Sequence, residues 1–485
     1  MNTEVLLGVT QGLALTMSIG FLTYVGFILV PYLRERPRPG GDPADFDWHF
    51  LIPCCDEEYV IADTIAYLRA TFPSTNIWVI DDASRDGTAA IVARVARNDP
   101  AVHLVRRSEP NARVGKGEAL NAGYRALTGR LGDGVDATRT IVVVVDADGR
   151  PAPGCLATCA ADHLFGDPQM GGVQIGVWMS NRYEDEPFPG RGRWANAFGR
   201  TLVRLQDLEF RAPISAMQIG RRTTGTVGLG GNGQFTRLSA LRKVAGDSGA
   251  PWRGSLLEDF EIGLHLLMAG YRVEYTREAY VFQEGLPNLR RLLTQRTRWG
   301  QGTMQCIRYL PRIWRSPYIS TLGAAEVLYY LVQPWLQLLG SLVYPLPWIL
   351  LGAETFRQPA VVSDWFFDGP GWILFAIYGT FGLLPFVMWG PVYRMVCEPN
   401  TSRRGAAGLG LAFALYIYIF YITSWRAVIR LVLRRNSWSK TRRNAEEPGT
   451  VVPAGAPVPR PERPVPTPAH VGRHRLDARS MPASR

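Results

Sequence analysis

The sequence predicts an α/β domain built on a mostly parallel sheet and joined to an α-helical transmembrane region. Three observations predict it. The chain opens on a long charge-poor apolar stretch, its middle alternates short β-branched runs with amphipathic segments, and long apolar stretches return after residue 300. At 485 residues, 47% hydrophobic and 20% charged, the chain has room for a large soluble domain and several membrane spans.

Residues 1–45 read as a transmembrane helix and a basic linker. From Val5 to Leu33 there is almost no charge, and Arg34, Arg36 and Arg38 follow, so the C-terminal end of this span is expected in the cytoplasm. A cleavable signal peptide would start basic and be shorter, whereas this segment starts at Glu4 and runs into arginines and prolines. Residues 46–300 read as the soluble domain. Strands are expected at His49–Pro53, Asn76–Ile80 and Thr140–Val145; the last is apolar without alternation, as a strand covered on both faces is.

An interfacial amphipathic helix is expected over 301–320 and transmembrane helices over 321–435, with apolar stretches at Ala324–Leu351, Gly371–Tyr393 and Gly405–Leu433. Three spans after a cytoplasmic domain would leave the C-terminus outside, but the basic cluster Arg434–Arg443 argues for inside. One stretch is therefore expected to be a hairpin or an interfacial helix. Residues 446–485, rich in Pro, Ala and Arg, are expected to be disordered.

The net charge of +11 is local: residues 434–485 hold eleven Lys/Arg against four Asp/Glu. Beside an apolar helix, such a segment suits anionic membrane lipids, so nucleic acid is excluded as a partner. None of the six cysteines falls in a zinc-like spacing, and reduced thiols fit a cytoplasmic domain.

The chemistry sits where strands end. Ligands of open parallel sheets collect at the carboxyl ends of strands, and two acidic clusters occupy that place: Asp81-Asp82, and Asp146-Ala147-Asp148. Successive strand side chains alternate sides, so Asp146 and Asp148, at i and i+2, are expected to project together and approach one hard cation, Mg²⁺ or Mn²⁺; a turn or a helix cap is the plainer use of such a pair. Lys116, between Gly115 and Gly117 at a helix start, suits a phosphate. Glu258 and Asp259 precede an amphipathic helix, where Asp259 could take a proton from an attacking hydroxyl or the pair could simply cap the helix. Gln295, Arg298 and Trp299 share a helical face, suiting a pyrophosphate beside a sugar ring or, more simply, an Arg-rich helix beside a membrane.

In order, Asp81-Asp82, Asp146-x-Asp148, Glu258-Asp259 and Gln295-x-x-Arg298-Trp299 resemble the membrane-bound members of glycosyltransferase family 2, which include cellulose, chitin and hyaluronan synthases. The resemblance covers roughly residues 46–443. It implies a GT-A, Rossmann-like fold in which Asp81 and Asp82 contact the uridine of a UDP-sugar. Asp148 with Asp146 would hold the metal, and Asp259, beside Glu258, would be the general base. Gln295, Arg298 and Trp299 would bind the donor diphosphate and the acceptor end. Trp438-Ser-Lys440-Thr441, in a segment spanning 436–445, is similar to a gate over the nucleotide.

Gly228-Leu-Gly-Gly-Asn-Gly233 with Gln234 departs from the polymer synthases and resembles a bacterial branch that includes glucosyl-diacylglycerol synthases, which places Gly231, Asn232 and Gln234 at the acceptor. The expected function is inverting, metal-dependent transfer from a UDP-sugar to a growing β-linked polysaccharide with coupled export. A β-glucosyl-diacylglycerol type of glycolipid synthase and a catalytically inert membrane scaffold are the alternatives. The expected location is the plasma membrane, multi-pass, with accessory export or cell-wall proteins as further partners. Glu326, Gln333 and Gln337 could line a polar path between helices or satisfy one another there.

Overall fold

The computed structural model describes residues 3–369 and 371–435. Its sheet is built on eight strands: β1 (Asp47–Cys54), β2 (Asn76–Asp82), β3 (Val102–Arg107), β4 (Thr140–Val144), β5 (Arg150–Pro151), β6 (Met170–Met179), β7 (Gln234–Arg237) and β8 (Arg272–Gln283). They form one sheet in the order β3-β2-β1-β4-β7-β6-β8-β5. Strands β3, β2, β1 and β4 are mutually parallel, β7 runs antiparallel to β4 and β6, and β6 pairs parallel with β8.

All five residues of β4 are buried, and alternation sends them into two cores. Val142 and Val144 pack with Leu51, Ile80 and the helix Lys116–Leu131. Ile141 and Val143 pack with Phe50, Ile52, Ile77 and Val79 under the helices Ile61–Thr71 and Thr88–Asn98. Covering both faces fixes a valine-rich strand in the middle of the sheet. A Cβ at Gly123 would lie 2.9 Å from Ile80, so the helix Lys116–Leu131 rides close on the sheet. That approach brings its first turn, and Lys116, to the carboxyl ends of β1 and β4.

Helices at Gln11–Arg34, Thr321–Arg357 and Arg403–Val432 are long and apolar enough to cross a membrane. The expected span Gly371–Tyr393 falls on the helices Gly371–Val387 and Trp389–Val396, with Pro385 near the break between them. The helix expected over 301–320 also starts earlier, at Leu289, because the Asn288 side chain accepts from the backbone N–H of Arg290 and Arg291. It ends at Cys306, so Gln295, Arg298 and Trp299 lie inside it. Glu326, Gln333 and Gln337 do not satisfy one another: Glu326 is paired with Arg221, Gln337 accepts from Ser424 and Gln333 bonds Tyr329.

Candidate active site

Three strand ends and two helix starts surround one cavity of about 310 Å³. Cys55 follows β1, Asp82 ends β2 and Asp146 follows β4; Lys116 starts one helix and Glu258 and Asp259 start another. The order β2-β1-β4 reverses the direction of winding here, and such a switch point leaves a crevice for a ligand.

Lys116 organises the centre. Its ammonium donates to Asp146 Oδ1 at 2.6 Å and to the Gly231 carbonyl at 2.7 Å, with Glu258 Oε1 3.9 Å away. Burial works against this charge, but Asp146 and Glu258 outweigh it and hold the lysine protonated more firmly than in water. Burial, and then Asp259, push Glu258 up to about 7. Burial raises Asp259 as well, opposed by Lys116, by the Phe260 N–H that donates to its Oδ1 at 2.7 Å, and by Arg298. The site thus holds two adjacent carboxyls that resist full ionisation beside a fixed cation.

At the far end Asp82, in ion pair with Arg107, is raised by burial and lowered by Arg113 and Arg107. Arg113 itself grips Asp56 with contacts of 2.6 and 2.8 Å. The lining also includes Gln295, Arg298 and Trp299, together with Phe210, Met217, Phe260 and Tyr330, so polar and apolar groups share the cavity.

Among the expected site residues, Asp82, Lys116, Asp146, Gly231, Asn232, Glu258, Asp259, Gln295, Arg298 and Trp299 line this cavity. Asp81, Asp148 and Gln234 are not among its lining residues. Asp81 is buried at the end of β2, where it accepts from the Ser84 N–H. Gln234 is buried within β7 and donates to Thr236. Asp148 misses the lining for a physical reason: β4 ends at Val144 and the chain turns, Gly149 N–H donating to the Asp146 carbonyl, so the alternation of a strand does not apply. Asp148 Oδ2 accepts from the Glu284 N–H instead. Lys440, Thr441 and the segment 436–445 lie outside the described residues.

Sequence reasoning missed two clamps. Gln218 both donates to and accepts from the backbone of Gly228, at 2.7 and 3.1 Å. Gln174 accepts from Gly230 N–H at 2.7 Å and donates to the Asn232 carbonyl at 2.8 Å. A glutamine inside the otherwise apolar run Gly172-Val-Gln-Ile-Gly-Val177 was the available signal.

With this geometry in place, comparison with known proteins identifies the lineage. A family model for glycosyl transferase family group 2 matches residues 141–390, just over half the chain, and one for glycosyl transferase family 2 matches residues 50–224. The chain belongs to glycosyltransferase family 2. It is an enzyme of that family, and the inert scaffold is set aside. This family 2 glycosyltransferase is 28% identical over 300 residues to the beta-monoglucosyldiacylglycerol synthase of Trichormus variabilis, covering 60% of this chain and 56% of that protein. It is 24% identical over 257 residues to the poly-beta-1,6-N-acetyl-D-glucosamine synthase of Staphylococcus aureus, covering 52% and 53%. The chain thus spans about half the length of the curated relatives it matches. Among solved structures, a mannosyltransferase from Pyrobaculum calidifontis in complex with GDP-Man and Mn²⁺ superposes with a TM-score of 0.50 at 17% identity, covering 88% of this chain and 99% of that one. The family 2 glycosyltransferase has the mostly parallel GT-A fold that its motif order implied.

Proposed function

We propose that this enzyme moves a hexose from a UDP-sugar to a hydroxyl of a membrane lipid, with inversion at the anomeric carbon. The supporting observation is the single cavity that gathers Asp82, Lys116, Asp146, Asp259, Arg298 and Trp299 from distant parts of the chain. Asp82 suits the nucleoside, and Arg298 with Gln295 suits the diphosphate. Asp259 takes the proton of the acceptor hydroxyl, which attacks the anomeric carbon from the face opposite UDP. Arg298 neutralises the departing diphosphate, and Lys116 keeps Asp146 and the Glu258–Asp259 pair in register.

The donor chemistry here fits a divalent cation. Asp146 brings a carboxylate to the cavity, and Mg²⁺ or Mn²⁺ is commonly held through one or two carboxylates plus substrate phosphates rather than by an all-protein cage. Asp146 would hold the ion together with the substrate phosphates, while Asp148, whose Oδ2 accepts from the Glu284 N–H, lies outside the lining. Among the described residues no group of three or more His, Cys, Asp or Glu side chains converges. Bound, the cation would supply further charge neutralisation for the leaving diphosphate.

For the acceptor, the apolar wall favours a lipid over the polysaccharide expected first. Phe210, Met217, Phe260 and Tyr330 line the cavity, and Tyr330 belongs to the apolar helix Thr321–Val343. Arg221, which also lines the cavity, pairs at 2.6 Å with Glu326 of that helix, both buried. A lipid headgroup would enter from the bilayer beside this wall and leave the same way, with the catalytic domain on the cytoplasmic side of the plasma membrane. Two measurements test the reading. Asp259→Asn should abolish transfer and keep UDP binding. Product made by membranes from labelled UDP-sugar should extract into chloroform; a labelled product that stays in the aqueous or insoluble fraction would restore the polysaccharide.

A further inference from the structure

In the run Gln295-Arg-Thr-Arg298-Trp299 three residues face the cavity, and Arg296 turns away from it. Its side chain is 1% exposed. Nη2 donates to Glu209 Oε2 at 2.6 Å and lies 3.5 Å from the Tyr416 hydroxyl, which itself donates to that Glu209 oxygen at 2.7 Å. The guanidinium carbon stands 4.0 Å from the centroid of the Trp299 ring and 5.5 Å from that of Phe210. Phe210 meets Trp299 edge-on, with centroids 6.0 Å apart and planes at 87°. Trp299 is therefore held on one side by a cation and on another by a ring edge, both fixed by other elements.

Those elements are informative. Glu209 ends the helix Arg193–Glu209, Arg296 belongs to the helix Leu289–Cys306, and Tyr416 ends the apolar helix Arg403–Tyr416. One carboxylate joins all three. Resting on the donor-site reading above, we propose that Arg296 is a positioning residue. It locks Trp299 at the acceptor end of the cavity, and through Glu209 and Tyr416 it makes that lock depend on how the apolar helix Arg403–Tyr416 is seated. The planar guanidinium matters because it stacks on a ring with its face while its edge serves the carboxylate; a lysine ammonium offers a point charge and no face. Displacing a positioning group by about 1 Å can cost on the order of 10²-fold in rate.

The test uses the full chain purified in nanodiscs, with the UDP-sugar that the wild type turns over. Arg296→Lys should lower kcat/KM for the acceptor by roughly ten- to a hundred-fold and leave the UDP Kd within about twofold. In a Trp299→Ala background the same change should cost less than about twofold, because the residue acts through that ring. Equal losses in both backgrounds, or a matching fall in the fraction of chains that bind UDP, would overturn the proposal. Should Arg296→Lys fold poorly, the paired Arg296→Met/Glu209→Gln variant removes both buried charges and meets the same criteria. Hydrogen exchange gives a readout free of turnover: Tyr416→Phe should speed exchange within Leu289–Cys306, and unchanged exchange there would also sink the lock. If the wild type bound no UDP, the donor reading would fall, and the exchange result would still decide the role of Arg296.

Discussion

Glu258→Gln should move the acid limb of activity to lower pH. Burial and the neighbouring Asp259 push Glu258 up to about 7, and burial raises Asp259 as well, so the two carboxyls release their last shared proton near neutrality. A general base works deprotonated, and activity is lost as pH falls through that titration. Glutamine keeps the shape of Glu258 and removes its charge. Two unit charges about 4 Å apart interact by about 4 kcal/mol at an effective dielectric of 20, so adjacent carboxylates repel by enough to move a titration by one or more pH units. Asp259 is half-buried, so solvent screens part of this and a downward shift of about one pH unit is expected. Relative to its own plateau, the variant should then be up to about ten-fold more active than wild type near pH 6. Initial rates of UDP release across the acid and neutral range measure this directly. An acid limb that stays put, or moves upward, would refute both the shared proton and the assignment of Asp259 as the base.

Further outcomes follow from other contacts. Arg221 and Glu326 are 1% and 5% exposed in their pair, so Arg221→Met or Glu326→Gln alone should each destabilise by about 3–5 kcal/mol and the double change by much less; additive thermal shifts in detergent would disprove the coupling. A Cβ at Gly231 would stand 2.9 Å from Lys116 Nζ and 3.0 Å from Asp259 Oδ2, so Gly231→Val should cut turnover at least about ten-fold with unfolding temperature nearly unchanged. Asp82→Asn should weaken UDP binding by about 1.5–3 kcal/mol in calorimetry, the range for a hydrogen bond to a charged group. Chelation should remove turnover, and added Mn²⁺ or Mg²⁺ should restore it; full activity in excess chelator would exclude the cation.

The sheet was legible where burial is symmetrical. β4 reads as a strand because both of its faces are covered, and the runs at β1 and β2 were legible for the same reason. β8 was not, because it carries Arg272, Glu274, Arg277 and Glu278, a density of charge that looks like solvent-exposed chain. The structure supplies the missing partners from elsewhere: Arg272 pairs with Asp167 at 2.7 Å, and Glu274 with Arg222 at 3.1 Å. Such pairings are tertiary facts, and no window of sequence contains them. The aspartates of the site were legible for a different reason, since ligands of open parallel sheets collect at strand ends, although Asp81 serves the turn by accepting from the Ser84 N–H. Asp148 shows the limit of that logic, because the rule of alternation stops where the strand does.

The glycine-rich segment at 228–233 shows how a local reading can invert the physics. Four glycines in six residues suggest a flexible loop, yet each described contact there is a constraint. A Cβ at Gly228 would sit 3.1 Å from the Phe260 ring, one at Gly231 would intrude between Lys116 and Asp259, and Gly233 holds a φ of +72° that favours glycine. Gln174 and Gln218 then fasten the backbone itself. Glycine here permits close approach, because only a bare backbone lets the Gly231 carbonyl reach the ammonium that also holds Asp146. The segment is therefore one wall of the charged centre, and a substitution in it should be felt first in turnover, where small displacements of Lys116 and Asp259 weigh most.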